Sequence, residues 1–391
     1  MNIFLNGAAA SAGGGVTYLR NVIPQLKQRL DIHVTVALQP ILRSEFQESA
    51  NVSLLDVRFS SNAAFRFWQE QRRLPRLLRQ HNAHVLISAG NIALHNSPVP
   101  QVLLSRNALY TSTDFYRDLY KRRDYRLILD TWVKGLLAQQ SIHWADCTVA
   151  PSRSFANDLA AWTSEEITTI PHGFDAEEFQ RDNTPLSLHL QNILENKNRA
   201  LRLLFVSHYN YYRNFETLSR AVPILRERLS PRKVEVVFTC RFSSDHNPGN
   251  YHAESAARLV RELGIVENVI ELGPIPYFHL HRVYRACDVY VSPAYAESFA
   301  HPLVEAMSCG LPIVASDIAV HREICGDAAL YFARFSPHEL ADAIVRASED
   351  TEHECLSKAG LEKSTTYSWK SHVDQLIELA QHLVTKDKSL R

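Results

Sequence analysis

Apolar positions along this chain follow two rhythms that take turns. Short apolar runs alternate with longer segments in which apolar residues recur every third or fourth place. A run at Ile3–Leu5 is followed by Gly13-Gly14-Gly15 and then by Val16, Leu19, Val22, Ile23 and Leu26, the spacing of one helical face. The run HVTVAL predicts a strand at 33–38, and strand-like runs recur at 84–90, 100–105 and 147–152. Helical patterns fill most of the gaps, notably 65–80 and 124–145. A polar stretch from Asp175 to Arg199, containing DNTP and NILENKNR, interrupts the pattern and is expected to be a linker or an edge element. The alternation restarts with strands at 200–208, 233–240, 268–273, 288–294 and 311–316. Helices are predicted between them at 214–229, 253–263, 276–286 and from about Pro302. Near the end, Val373, Leu376, Ile377, Leu379 and Leu383 mark a terminal amphipathic helix.

Strands that alternate with helices imply parallel pairing with both sheet faces covered, an α/β class. A chain of 391 residues exceeds one ordinary core. The expectation is two doubly wound domains, 1–185 and 200–369, with the terminal helix 370–391 packing on the first. Ligands in such sheets bind beyond the carboxyl ends of the strands, so a cleft between the domains is the expected site.

Composition narrows the classes. The chain carries 42 basic and 42 acidic residues, so no net field favours nucleic acid. The longest apolar runs are too short to span a membrane, and the first residues lack the charged and apolar regions of a secretory signal. The six cysteines are scattered without a C-x-x-C pair, which points to reduced thiols in a cytoplasmic protein. No H-E-x-x-H occurs, and metal binding through the histidines is not expected. No G-x-G-x-x-G follows a strand, which disfavours a dehydrogenase.

The informative stretch is AESFAHPLVEAMSCGLPIVASD, Ala296 to Asp317. Glu297 follows a buried strand, and Glu305 lies in the first turns of the next helix. Pro302 suits the helix start and Gly310 its end. Loop 298–301 therefore brings backbone N–H groups to a helix N-terminus, a natural site for an anion such as a diphosphate. Carboxylates beside an anion are suited to neutral hydroxyl donors, such as those of a sugar or ribose. Read as architecture alone, Glu297 caps the loop and Glu305 is a solvated helix residue; the strand–loop–Pro–helix–Gly–strand frame favours the functional reading.

These residues resemble a known family. Glu297-Ser298-Phe299-Ala300-His301-Pro302-Leu303-Val304-Glu305 is similar to the E-x7-E signature of the family 4 glycosyltransferases, which have the GT-B fold. The match continues through Leu311-Pro312-Ile313-Val314-Ala315-Ser316 and backward through Tyr284-Arg285-Ala286-Cys287-Asp288. It is looser in the first half, where the glycine-rich loop and 145–152 agree. Ile170-Pro171-His172-Gly173-Phe174-Asp175 resembles the family's junction element. The resemblance implies a retaining transferase that takes a hexosyl or deoxyhexosyl unit from a nucleotide-diphosphate sugar. Glu305 would bind the donor ribose and Glu297 the donor sugar, helped by the backbone of Ser298, Phe299, Ala300 and His301. Arg213 matches the second of the family's two basic positions and could stabilise the leaving diphosphate. His208 stands where an arginine is common, with phosphate contact and packing both open. No D-x-D occurs, so no metal cofactor is expected.

The chain also departs from the family pattern. Ser298 and Ala300 replace glycines, and His301 replaces a leucine, which narrows the loop. Where many members carry a His-Asp pair, this chain has Arg106 and Asn107, neither a base at neutral pH. They are candidate acceptor or phosphate contacts, as are Gly13, Gly14 and Gly15, whose alternative reading is a flexible turn. Basic and aromatic residues mix at 65–80 and 115–127; these faces are either ordinary solvated helix or a contact with anionic lipid on the inner face of a membrane. A lipid-linked or glycan acceptor in surface polysaccharide assembly fits the second reading. The alternatives are another GT-B enzyme, such as a sugar-nucleotide epimerase or phosphorylase, and a non-catalytic binding protein.

Overall fold

The computed structural model describes all residues except 11–13, 61, 183, 196–199, 244–250 and 391. It contains two parallel sheets. The first is built from β1 (Asn2–Asn6), β2 (His33–Leu38), β3 (Val52–Asp56), β4 (Val85–Ser88), β5 (Gln101–Leu104), β6 (Cys147–Ala150) and β7 (Ile167–Thr169), in the order β3-β2-β1-β4-β5-β6-β7. The second is built from β8 (Leu201–Phe205), β9 (Val234–Phe238), β10 (Val269–Glu271), β11 (Val289–Ser292), β12 (Ile313–Ser316) and β13 (Ala329–Phe332), in the order β10-β9-β8-β11-β12-β13. In each sheet the chain winds outward from a central strand and then crosses to its other side. The reversal falls between β1 and β4 in the first and between β8 and β11 in the second, where Leu203 pairs with Val289 and Leu204 with Tyr290.

The central strands are apolar on both faces because both are covered. In β1, Ile3 and Leu5 join the core under the helix Gly14–Lys27, while Phe4 points to the opposite core with Leu74, Leu78 and Leu86. The terminal helix Trp369–Leu390 adds Trp369, Val373, Leu376, Ile377 and Ala380 to the first of these cores. One compact unit therefore comprises 1–111, 129–173 and 368–391; the other comprises 112–128 and 174–367. The chain leaves the first unit at Gly173, earlier than the boundary at 185 expected from sequence. A Cβ on Gly173 would lie 2.0 Å from the Trp369 nitrogen, so no side chain fits there.

Where a linker or an edge element was expected, the described residues of the polar stretch 175–199 hold two short helices of the second unit. Asp175 caps the helix Ala176–Gln180 by accepting from the Glu178 N–H at 3.0 Å. A second helix, Leu188–Glu195, follows, and Phe179 and Leu194 enter the core of the second unit. Apolar residues are too sparse here to show a period, yet Ala176, Leu186, Leu190 and Ile193 pack partly buried beside Phe179 and Leu194 and help dock the short helices. The strands β3, β7 and β13 were absent from the sequence expectation. All three lie at sheet edges, and none is fully buried.

Candidate functional site

The second sheet reverses between β8 and β11, and the loops that follow these strands carry the basic and acidic residues singled out above. After β8 a short 3-10 turn, Tyr211–Arg213, ends at Asn214 in the left-handed region, φ 57°. The Asn214 side chain donates to the Pro293 carbonyl at 3.0 Å and to the Arg334 carbonyl at 2.6 Å, and accepts from the Thr217 hydroxyl at 2.8 Å. One amide thus ties the loops after β8, β11 and β13. The Tyr295 N–H adds a bond to the Tyr212 carbonyl at 3.0 Å.

This frame holds Arg213 against Glu297, with Arg213 Nη1 donating to Glu297 Oε1. Burial raises the Glu297 pKa, and the Arg213 charge offsets this only in part. For Arg213 burial is the largest single influence and acts to lower the pKa, but Glu297, Tyr212 and Tyr290 together outweigh it, so the guanidinium stays charged. Its Nε is buried without a hydrogen-bond partner among the described residues, a donor left for something else. The buried His321, on the helix after β12, bonds through Nδ1 to the Ser316 carbonyl at 2.9 Å. Burial, reinforced by the Arg213 charge, lowers its pKa to about 4, so this ring is neutral.

The helix His301–Ser308 begins after Ala300, with Pro302 in its first turn and no side-chain cap. Pro302 has no N–H, and the Leu303 N–H donates to the Ala300 carbonyl at 3.0 Å. Ala300 adopts φ 63°, a region that favours glycine, which accounts physically for the family's glycine there. Phe299 is buried in the core and packs against the Tyr367 ring at 5.5 Å. It also lies 4.9 Å from the His301 ring. Ser298 and His301 are half-buried on the same loop.

Glu305 is buried, not solvated. Tyr284 donates to its Oε2 at 2.8 Å and also to the Pro302 carbonyl at 3.2 Å. Burial pushes the Glu305 carboxyl up to about 7, against the lowering effect of the Tyr284 bond. A buried carboxyl with so few donors is an acceptor with room for hydroxyl groups. His208 is exposed; desolvation by its neighbours and the Arg213 charge lower its pKa.

The structure thus brings Arg213 and Glu297 together and sets Ser298, Phe299, Ala300, His301 and Glu305 on the next helix start. The other candidates lie in the first unit. Gly14 and Gly15 open the helix Gly14–Lys27, and Gly13 lies outside the described residues. Arg106, after β5, donates to the Ala89 carbonyl and stacks over the Tyr18 ring at 4.5 Å. Its own N–H is held by Asn91 Oδ1 at 2.6 Å. Asn107 caps the following turn by accepting from the Leu109 N–H at 3.1 Å. Both residues make local structural bonds. Sequence reasoning missed Tyr284, Asn214 and His321. Tyr284 stood within a quoted motif, but only its contact with Glu305 gives it a role.

Two family models match the chain: Glycosyltransferase Family 4 over residues 12–178 and Glycosyl transferases group 1 over residues 189–363. Among curated proteins, the D-inositol 3-phosphate glycosyltransferase of Corynebacterium aurimucosum is 27% identical over 258 residues, 63% of this chain and 59% of that protein. The protein of the same name from Mycolicibacterium smegmatis is 36% identical over 131 residues, 32% of this chain and 29% of that protein. The matches thus span less than two thirds of these relatives' length. Among solved structures, sucrose-phosphate synthase from Thermosynechococcus elongatus superposes with a TM-score of 0.75 at 18% identity, covering 99% of this chain and 100% of that one. Anabaena HepE in complex with UDP-glucose gives 0.73 at 16% identity, covering 98% and 100%.

Proposed function

The chain belongs to the family 4 glycosyltransferases, with the GT-B architecture of two Rossmann-like units, and we propose that it is a retaining enzyme using a nucleotide-diphosphate sugar. The carrying observation is the Arg213–Glu297 pair at the reversal point of the second sheet, with buried Glu305 on the adjoining helix. Glu305 accepts from the donor ribose hydroxyls. Glu297 accepts from hydroxyls of the transferred hexosyl or deoxyhexosyl unit. Arg213, charged and with a spare Nε–H, stabilises the diphosphate as it departs. The backbone of loop 298–301, leading into the helix His301–Ser308, helps to hold the donor sugar.

In the reaction the bond from the anomeric carbon to the phosphate oxygen breaks, and a bond from that carbon to the acceptor oxygen forms on the same face. The acceptor's proton passes to the departing phosphate oxygen, so no protein base is needed at the place where Arg106 and Asn107 stand. Arg213 supplies the positive charge that balances the diphosphate, and the reaction proceeds without a metal cofactor. Incubation with nucleotide sugars, with and without acceptor, followed by NMR of the product's anomeric proton, tests this reading. Retention of configuration in an acceptor-dependent product is expected. Inversion, or conversion of the sugar nucleotide without acceptor, contradicts it.

The acceptor is a glycan or lipid-linked molecule of surface polysaccharide assembly, met at the inner face of a membrane by a cytoplasmic protein. Supporting this, the helix Tyr125–Trp144 exposes Leu129, Trp132, Val133 and Leu136 along one stripe, and the helix Ala63–Gln80 exposes Phe65 and Trp68. Among the described residues no helix is long and apolar enough to cross a membrane. The stretch 115–127 contributes less than its composition suggested, because Phe115 and Leu119 are buried in the second unit.

A further inference from the structure

Residues 112–128 lie between β5 and β6 in sequence, yet they pack with the second unit. Their helix, Thr113–Arg122, is capped by Ser112, whose Oγ accepts from the Phe115 N–H at 3.2 Å. Its inward contacts land on loops at the carboxyl edge of the second sheet. Arg122 donates to Glu216 at 2.8 Å and lies over the Tyr211 ring at 4.2 Å. Phe115 meets the Tyr212 ring edge-on, 6.2 Å between centroids at 81°. Asp118 accepts from the Tyr295 hydroxyl at 2.8 Å, and Asp114 pairs with Arg334 at 2.6 Å.

The first two of these loops, after β8 and β11, carry Arg213 and Glu297. The Arg213 guanidinium sits 5.2 Å from the centre of the Tyr212 ring, the ring that Phe115 backs. Tyr295, which Asp118 holds, is on the loop of Glu297. Ionic and hydrogen-bonded contacts of half-buried groups return little net stability, because desolvation offsets them. They do fix direction and distance, and a catalytic group displaced by about 1 Å can lose on the order of 100-fold in rate.

We propose that the helix Thr113–Arg122 is a positioning element of the donor site, setting the Arg213–Glu297 pair through the Phe115–Tyr212 and Asp118–Tyr295 contacts. The inference rests on the transferase reading. It makes Asp118 and Tyr295 positioning residues that act through the two loops, and it builds the donor site from both halves of the chain.

Tyr295→Phe tests it cleanly. The change removes one hydroxyl, and Asp118 keeps both oxygens on Arg122 Nε at 3.0 Å, so no charge is orphaned. The expected result is a fall in kcat of about tenfold with donor KM within about twofold and little change in Tm. Asp118→Asn, whose amide oxygen still accepts from Tyr295, is expected to retain most of kcat. Asp118→Ala loses as much as Tyr295→Phe, and the double variant Tyr295→Phe/Asp118→Ala loses no more than either alone. A lower Tm with unchanged kcat, or additive losses, overturns the inference and leaves the transferase reading standing. A wild-type chain that neither binds nor turns over any nucleotide sugar overturns both.

Discussion

Glu305 shows how one residue's surroundings set its chemistry. Its carboxyl is pushed up from 4.5 to about 7 by burial, so between these values the folded state holds a proton that the unfolded state has released. Stability from this group is therefore present below about pH 4.5 and is lost as pH rises through about 7. At pH 8 the buried charge costs up to roughly 3 kcal/mol. Glu305→Gln is thus expected to raise Tm at pH 8, to leave it nearly unchanged at pH 4.5, and to weaken donor binding at pH 8. Thermal melts of both proteins across pH check this; a Tm gain independent of pH contradicts the assignment. Donor affinity of the wild type should strengthen as pH rises through 7, when Glu305 becomes a full acceptor. Glu297 and Glu305 were legible from their strand–loop–helix frame, and Arg213 from the family resemblance. Tyr284, Asn214 and His321 were not, because each acts through partners far away in sequence: Glu305, the Pro293 and Arg334 carbonyls, and Arg213.

At the scale of elements, the strongly periodic segments read directly. The strand expected at 33–38 is β2, and the helix expected at 214–229 is Phe215–Leu229. Burial on both sheet faces leaves no ambiguity in such runs. What failed was the sparsely apolar or half-exposed chain: the edge strands β3, β7 and β13 and the short helices Ala176–Gln180 and Leu188–Glu195. The helix Thr113–Arg122 shows a different limit. Its mix of basic and aromatic residues was visible, but the face that binds protein and the face left to solvent could not be told apart from composition. The next helix, Tyr125–Trp144, carries the exposed stripe Leu129, Trp132, Val133 and Leu136. The proposed lipid contact is placed on this stripe. Sedimentation with phosphatidylglycerol-containing vesicles should carry down the wild type, and Trp132→Ser/Leu136→Ser should reduce the bound fraction several-fold. Equal binding by the variant, or by neutral vesicles alone, contradicts the lipid reading of this face.

The molecule as a whole is electrically balanced, with 42 basic and 42 acidic residues, so its selectivity resides in local sites and not in a global field. The α/β class and the presence of two sheets followed from the alternation of periods along the chain. The course of the chain between the units was harder to foresee: it depends on Gly173 meeting Trp369 and on 112–128 joining the second unit, contacts that no local pattern encodes. The central claim is that the second unit binds a nucleotide-diphosphate sugar through Glu305, Glu297 and Arg213. Calorimetric titration of the wild type and Glu305→Ala with UDP-, GDP- and dTDP-sugars, in the presence of a chelator, tests it most directly. Saturable binding of one donor series by the wild type, weakened at least tenfold in Glu305→Ala, is the predicted result. Equal affinity in the two proteins, or no binding of any donor by a folded wild type, would contradict it.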